Sequence, residues 1–141
     1  MRIMNTPNNI ILTLSTILAF LGSYFLKITM DNVEQYLAVC VVLFADGFFG
    51  IWAGAKSSTG FQTKRALKIP KDILFWITML TLTLVVERGF TGASWLSETV
   101  LIPFLVFQVI SVLKNASKVG LISNEVLTTL LAKIDKHKDD I

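Results

Sequence analysis

Four long apolar stretches, separated by short polar segments, occupy most of this chain. They cover residues 10–26, 36–55, 73–86 and 100–113. The second stretch has about 20 residues, the length that a helix needs to cross roughly 30 Å of hydrocarbon. The pattern predicts an all-α membrane protein with three to four transmembrane helices, four being favoured, plus a C-terminal amphipathic helix.

The flanking residues extend these stretches to expected spans of about residues 10–28, 34–55, 69–86 and 95–113. Together they predict a transmembrane helical domain over residues 1–113. Residues 114–141 are then a cytoplasmic amphipathic helix with a charged tail. The third and fourth apolar runs hold 14 residues each, which rise only about 21 Å in a helix. Two interpretations of these runs therefore stay open. They are either two short spans that thin the bilayer or a helical hairpin that enters it partway.

Composition supports a membrane location. Hydrophobic residues make up 53% of the chain and charged residues only 16%, whereas soluble domains carry about 25% charged residues. The single cysteine, Cys40, excludes an internal disulfide. The net charge of +3 does not indicate nucleic-acid binding, because the basic residues lie in the segments between apolar runs. We expect the lipid bilayer as a partner and no nucleic acid.

The basic residues predict the orientation, because cytoplasmic loops of membrane proteins are enriched in lysine and arginine. An N-in and C-in arrangement places 11 of the 13 basic residues inside: one at the N-terminus, five between the second and third runs, and five after residue 113. The sequence therefore predicts a multi-pass membrane protein with both termini in the cytoplasm. The expected cytoplasmic basic loop contains Lys56, Lys64, Arg65, Lys68 and Lys71.

Helical periodicity returns after the last apolar run. Within residues 124–136, five apolar side chains share one face of a helix, and polar side chains occupy the rest. This face consists of Val126, Leu127, Leu130, Leu131 and Ile134. We expect an amphipathic helix that lies on the inner membrane surface or packs on a neighbour.

Residues suited to catalysis are scarce. The only histidine, His137, lies in the charged tail, and no other histidine, cysteine or carboxylate stands at metal-ligand spacing. Glu87 and Glu98 lie on the outer link, where solvation is the expected role. We expect no enzyme activity, no catalytic residues, no cofactor site and no metal site.

Asp46 is the exception among the polar residues, because it lies near the centre of an apolar run. Burying a carboxylate there costs about 2.5–3.5 kcal/mol on insertion scales. The expected helix-packing and oligomerisation site consists of Asp46, Gly47, Gly50, Ala53, Gly54 and Ser57. Gly50 and Gly54 form a small-xxx-small motif that lets two helix backbones approach closely.

Two interpretations of Asp46 stay open. In the first, its helix self-associates into a homo-oligomer and the acid finds its partner across that contact or in water. In the second, a protonated Asp46 is hydrogen-bonded within the chain by Thr13, Thr78 or Thr81.

Two segments resemble the toxin-secretion/phage-lysis holin family, which includes phage holins of Gram-positive hosts. The first is Asp46-x-x-x-Gly50 followed by Lys56, Ser57-Ser58, Gly60-Phe61 and Lys64-Arg65. The second, Ser111-Val-Leu-Lys-Asn115-Ala-Ser-Lys118-Val-Gly120, is similar to the family's Ser-x-x-Glu-Asn-x-x-x-x-Gly segment. Here Lys114 stands in place of the usual Glu, and no Pro follows Gly120.

This resemblance implies a non-enzymatic pore former. Copies would oligomerise in the inner membrane and open lesions that release a cell-wall hydrolase or a toxin, with an endolysin or an antiholin as functional partner. Two alternatives remain at this point. One is a small four-helix proton-coupled transporter with Asp46 as the coupling site, and the other is a structural membrane subunit or anchor.

Overall fold

The computed structural model describes residues 7–57 and 63–138, which fold into helices joined by short turns, with no strand in either range. Five α-helices and one 3-10 helix cover these residues. They are α1 (Pro7–Asp31), α2 (Val33–Lys56), α3 (Thr63–Gly89), the 3-10 helix Thr91–Ala93, α4 (Leu96–Val119) and α5 (Asn124–Lys138). The chain divides into two compact units, Met1–Val33 with α1 and Glu34–Ile141 with α2 to α5.

Within the described residues, four helices are long and apolar enough to cross a membrane, over Asn9–Asp31, Val33–Lys56, Ala66–Gly89 and Thr91–Val119. The two 14-residue apolar runs are therefore parts of longer helices. The third candidate span alone has 24 residues, which rise about 36 Å in an α-helix.

Most large apolar side chains of α1 between Ile10 and Leu26 are exposed. The hydroxyl groups of this helix are satisfied locally, since Thr13, Thr16 and Thr29 each donate to the backbone carbonyl four residues earlier, at 2.8–3.0 Å. Polar groups in hydrocarbon have no water to bond, so partners within the helix are the arrangement that lipid requires.

In the second unit, α3 packs against both α2 and α4. The hydroxyls of Tyr36 in α2 and Thr81 in α3 are hydrogen-bonded at 2.8 Å. The rings of Trp76 in α3 and Phe104 in α4 are stacked, with centroids 3.4 Å apart. The buried apolar residues recur at helical spacing along these three helices. They are Tyr36, Val39 and Leu43 of α2, Leu80 and Leu84 of α3, and Leu101, Phe104, Ala116 and Val119 of α4.

Helices α2 and α4 run in the same direction. Their first turns share a cavity of about 110 Å³, lined by Gln35 of α2 and by Ser97 and Glu98 of α4. At their other ends, the Lys56 ammonium donates to the backbone carbonyl of Val119 at 2.6 Å. Two helices that meet at both their starts and their ends finish on the same side of a membrane.

The segment expected to be a basic loop is mostly helical. Lys56 ends α2, and α3 begins at Thr63, so that Lys68 and Lys71 lie on α3. Pro70 lies inside this helix. Its missing N–H removes one helical hydrogen bond, while Lys68 and Asp72 form an i,i+4 ion pair at 3.7 Å. Residues 58–62 and the side chains of Lys64 and Arg65 lie outside the described residues.

Glu87 was expected from sequence to be solvated, but its carboxylate is hydrogen-bonded to the start of α4. Its Oε1 atom accepts a hydrogen bond from the backbone N–H of Ser97 at 2.6 Å. Trp95, which precedes α4, provides no side-chain cap. An anionic acceptor at a helix N-terminus satisfies a free N–H and is favoured by the helix dipole. Glu87 of α3 therefore caps α4 across the turn.

We predict that Glu87→Ala lowers the free energy of unfolding by about 1–2 kcal/mol, because the Ser97 N–H loses an anionic partner. Thermal unfolding in detergent micelles, followed by circular dichroism, measures the change. Glu98→Ala is the matched control, since Glu98 is an exposed acid one residue from Ser97. Equal losses in the two variants would contradict the capping role.

Candidate helix-packing site

Asp46 lies on α2, inside a candidate membrane span, and its side chain is half-buried. Its Oδ1 atom is enclosed and has no hydrogen-bond partner among the described residues. Within the second unit, neither Thr78 nor Thr81 donates to this atom. Each donates instead to a carbonyl one turn earlier in its own helix, at 2.8 Å. A threonine in a helix commonly bonds such a carbonyl, so the interpretation in which these two hydroxyls hold Oδ1 has no support in the second unit.

Gly47 of α2 lies against α3. A β-carbon at this position would overlap the side chain of Ile69. At this position only a hydrogen atom fits between α2 and Ile69. A small residue that removes such a clash allows two helices to pack at short range.

Gly50 lies one turn further along α2 and meets α4. A β-carbon there would stand 3.5 Å from Nδ2 of Asn115, which is ordinary van der Waals contact. Gly54, the next member of the motif, is buried, and Ala53 is half-buried. Ser57 is exposed, and its hydroxyl donates to the carbonyl of Gly54 at 2.9 Å.

The end of α2 is joined to the end of α4. Gly120 follows α4 with a φ of 88°, the left-handed conformation that favours glycine. Its N–H bonds the carbonyl of Ser117 at 2.9 Å, and the N–H of Leu121 bonds that of Ala116 at 3.0 Å. This turn leaves the Val119 carbonyl to accept from Lys56, a cation at a helix C-terminus.

These contacts bring together the two segments that carry the family resemblance. Gly50 of the first segment lies against Asn115 of the second, and Lys56 bonds next to Gly120. Segments about 65 residues apart in sequence thus meet at two points between α2 and α4.

The opposite side of α2 carries aromatic side chains. Phe44, Phe48 and Trp52 are 61%, 50% and 42% exposed and follow one another at four-residue intervals. Neighbouring ring centroids in this row are 6.4 and 5.9 Å apart. Asp46 and the glycines therefore face α3 and α4, and the aromatic row faces away from them.

The C-terminal segment forms α5, which packs against α4. Of the five apolar residues assigned to its face, Leu127, Leu130, Leu131 and Ile134 are half-buried and Val126 is 47% exposed. Whether this helix also binds the membrane surface stays a prediction. Among the described residues, no group of three or more histidine, cysteine or carboxylate side chains is placed to hold a metal ion.

A protein-family model described as the bacteriophage holin family matches residues 23–136. The match covers most of the 141 residues and includes α2 to α4 completely. The chain belongs to the bacteriophage holin family. Comparison with curated proteins and with solved structures gave no match.

Membership in the holin family explains why four of the described helices are apolar. This holin is a multi-pass protein of the inner membrane, and its family is not an enzyme family. Sequence reasoning singled out Asp46 and the glycines but missed Ile69 as the neighbour of Gly47 and Glu87 as the cap of α4. Glu87 could have been noticed as an acid nine residues before the start of α4, whereas Ile69 carries no local signal.

We predict that Gly47→Ala lowers the free energy of unfolding by about 1–3 kcal/mol, because the new methyl group overlaps Ile69. Gly22→Ala is the matched control, since nothing lies within 4 Å of a β-carbon there. That change is expected to stabilise the helix by about 0.5–1 kcal/mol. Adding Ile69→Ala to Gly47→Ala should restore part of the loss. Stabilisation by both glycine substitutions in micelle unfolding would contradict the close approach.

We predict that Lys56→Met weakens the end of α4 by about 1 kcal/mol, because the Val119 carbonyl loses a charged donor. Amide hydrogen exchange at Gly120 and Leu121 reports on this turn directly. Lys68→Met removes a lysine whose described ion pair is exposed and 3.7 Å long, so exchange there should stay unchanged. Equal exchange rates in both variants would argue against the link between α2 and α4.

Proposed function

We propose that this holin forms pores. Copies accumulate in the cytoplasmic membrane of a bacterial host, oligomerise and open a lesion that releases a cell-wall hydrolase or a toxin. The observation that carries the proposal is the family match over residues 23–136 in a chain with four helices able to cross a membrane. An endolysin or an antiholin would be its functional partner.

For the orientation we propose N-in and C-in. The distribution of basic residues supports it, with 11 of 13 on the inner side in this arrangement. The parallel directions of α2 and α4 also support it, because the Lys56 to Val119 hydrogen bond places their C-terminal ends together. The cytoplasmic side would then hold Lys56, the start of α3 and the end of α4.

For oligomerisation we propose the α2 face that carries Asp46. The enclosed Oδ1 atom has no donor among the described residues, and an unpaired polar atom in hydrocarbon costs several kcal/mol. Gly47 and Gly50 are already in contact with α3 and α4. A donor from a second copy therefore reaches Asp46 only when α2 separates from one of these helices. Assembly would exchange contacts within a chain for contacts between chains.

Controlled expression in bacteria, with and without a co-expressed endolysin, tests the function. We expect abrupt loss of membrane potential and growth arrest, and cell lysis only when the endolysin is present. Gly50→Leu should delay or abolish the loss of potential, because the larger side chain prevents the close helix approach that assembly through this face requires. Phe48→Leu is the control on the exposed face. Cells that keep their potential at high membrane levels of the chain would refute pore formation.

The same cells distinguish the two alternatives drawn from sequence. A proton-coupled transporter would give pH-dependent drug tolerance that Asp46→Asn removes, with no loss of potential. A structural anchor would give neither tolerance nor lysis. Either result, at expression levels where the chain is found in the membrane, would replace the pore proposal.

A further inference from the structure

Helix α5 turns back along α4. Ile134, in its third turn, lines a cavity of about 270 Å³ together with Ile102, Leu105, Val106 and Val109 of α4. At the connection, the Ser117 hydroxyl donates to Oδ1 of Asn124 at 2.9 Å. The two helices therefore form an antiparallel pair, and α5 does not lead away from the end of α4.

This arrangement places the second half of α5 beside a membrane span. Val109 and Val106 lie five and eight residues before Lys114, about 8 and 12 Å along the helix axis. The expected span of α4, residues 95–113, rises about 28 Å, which is barely the hydrocarbon thickness. Val106 and Val109 must therefore lie within the hydrocarbon, and Ile134 lies level with them.

The side of α5 that points away from α4 is polar and charged. Its apolar residues Leu127, Leu130, Leu131 and Ile134 are half-buried. Its exposed residues are Asn124, Glu125, Val126, Thr128, Thr129, Ala132, Lys133, Asp135 and Lys136. The two threonine hydroxyls bond carbonyls of their own helix, so the charged groups are the ones that require water.

We propose that α5 lines the water-filled interior of the assembled lesion. Its apolar face stays on α4, and Lys133, Asp135 and Lys136 face the water. This inference rests on the proposed pore function. Two observations support it. Ile134 of α5 lies beside Val106 of α4, at the depth of the hydrocarbon, and charged side chains of α5 are exposed on the side away from α4. Charged groups at that depth require water or a charged partner, which lipid tails do not provide.

Two cysteine experiments in one preparation test the proposal. The full-length chain with Cys40→Ala is reconstituted in phosphatidylglycerol and phosphatidylethanolamine vesicles loaded with a dye. In the first experiment, Val109→Cys and Ile134→Cys are treated with a short bis-maleimide. In the second, Lys133→Cys is treated with a charged, membrane-impermeant maleimide, with Leu82→Cys on the exposed side of α3 as control.

We expect leaking vesicles to show both a crosslink within one chain and labelling of Lys133→Cys, with no labelling of Leu82→Cys. Labelling without the crosslink would place α5 on the membrane surface and overturn the proposal that α5 lines the lesion. A crosslink without labelling would place its charged face against lipid or protein and overturn it as well. In both cases dye release leaves the pore function standing. Vesicles that never leak refute the pore function, and the lining with it.

Discussion

The contact of α2 with α3 depends on a position where a side chain is missing. At Gly47 even a methyl group would overlap Ile69, whereas at Gly50 it would make an ordinary van der Waals contact with Asn115. Lipid tails are as apolar as leucine, so the hydrophobic effect does not drive helices together within a bilayer. Close packing and polar links must replace it. The glycines allow close packing. The hydrogen bond from Lys56 of α2 to the end of α4 is one polar link.

Several polar groups elsewhere in the described spans have a hydrogen-bond partner. The threonines of α1 and α3 donate to their own helices, and Lys56 and Glu87 each complete a helix end. Two enclosed side-chain atoms have no partner among the described residues, Oε1 of Gln35 and Oδ1 of Asp46. Gln35 lies in the first turn of α2, whereas Asp46 lies near the middle of that helix. A buried polar atom that lacks a hydrogen-bond partner, in a fold where other polar groups have one, is typical of a functional or strained site. This contrast is the structural reason for assigning assembly to the Asp46 face.

The sequence predicted the helical class, the four candidate spans and the small-residue face of α2, because these depend on local periodicity and residue size. It placed the start of the third helix near residue 69, although α3 begins at Thr63, since Pro70 normally marks a first turn. It also offered threonine partners for Asp46 that bond elsewhere. The capping of α4 by Glu87 and the fit of Gly47 to Ile69 depend on helix-to-helix geometry, which residue spacing in one chain does not contain.

One crosslinking measurement tests the central claim, that the glycine face of α2 packs within its own chain before assembly. Cysteines replace Gly50 and Asn115 in a Cys40→Ala background, and the protein is oxidised in membranes at low expression. The α2 to α4 contact predicts a disulfide within one chain, seen as a band of monomer mass that shifts on reduction. Disulfide-linked dimers and higher oligomers, without the internal crosslink, would contradict it and show that this face meets another copy from the start.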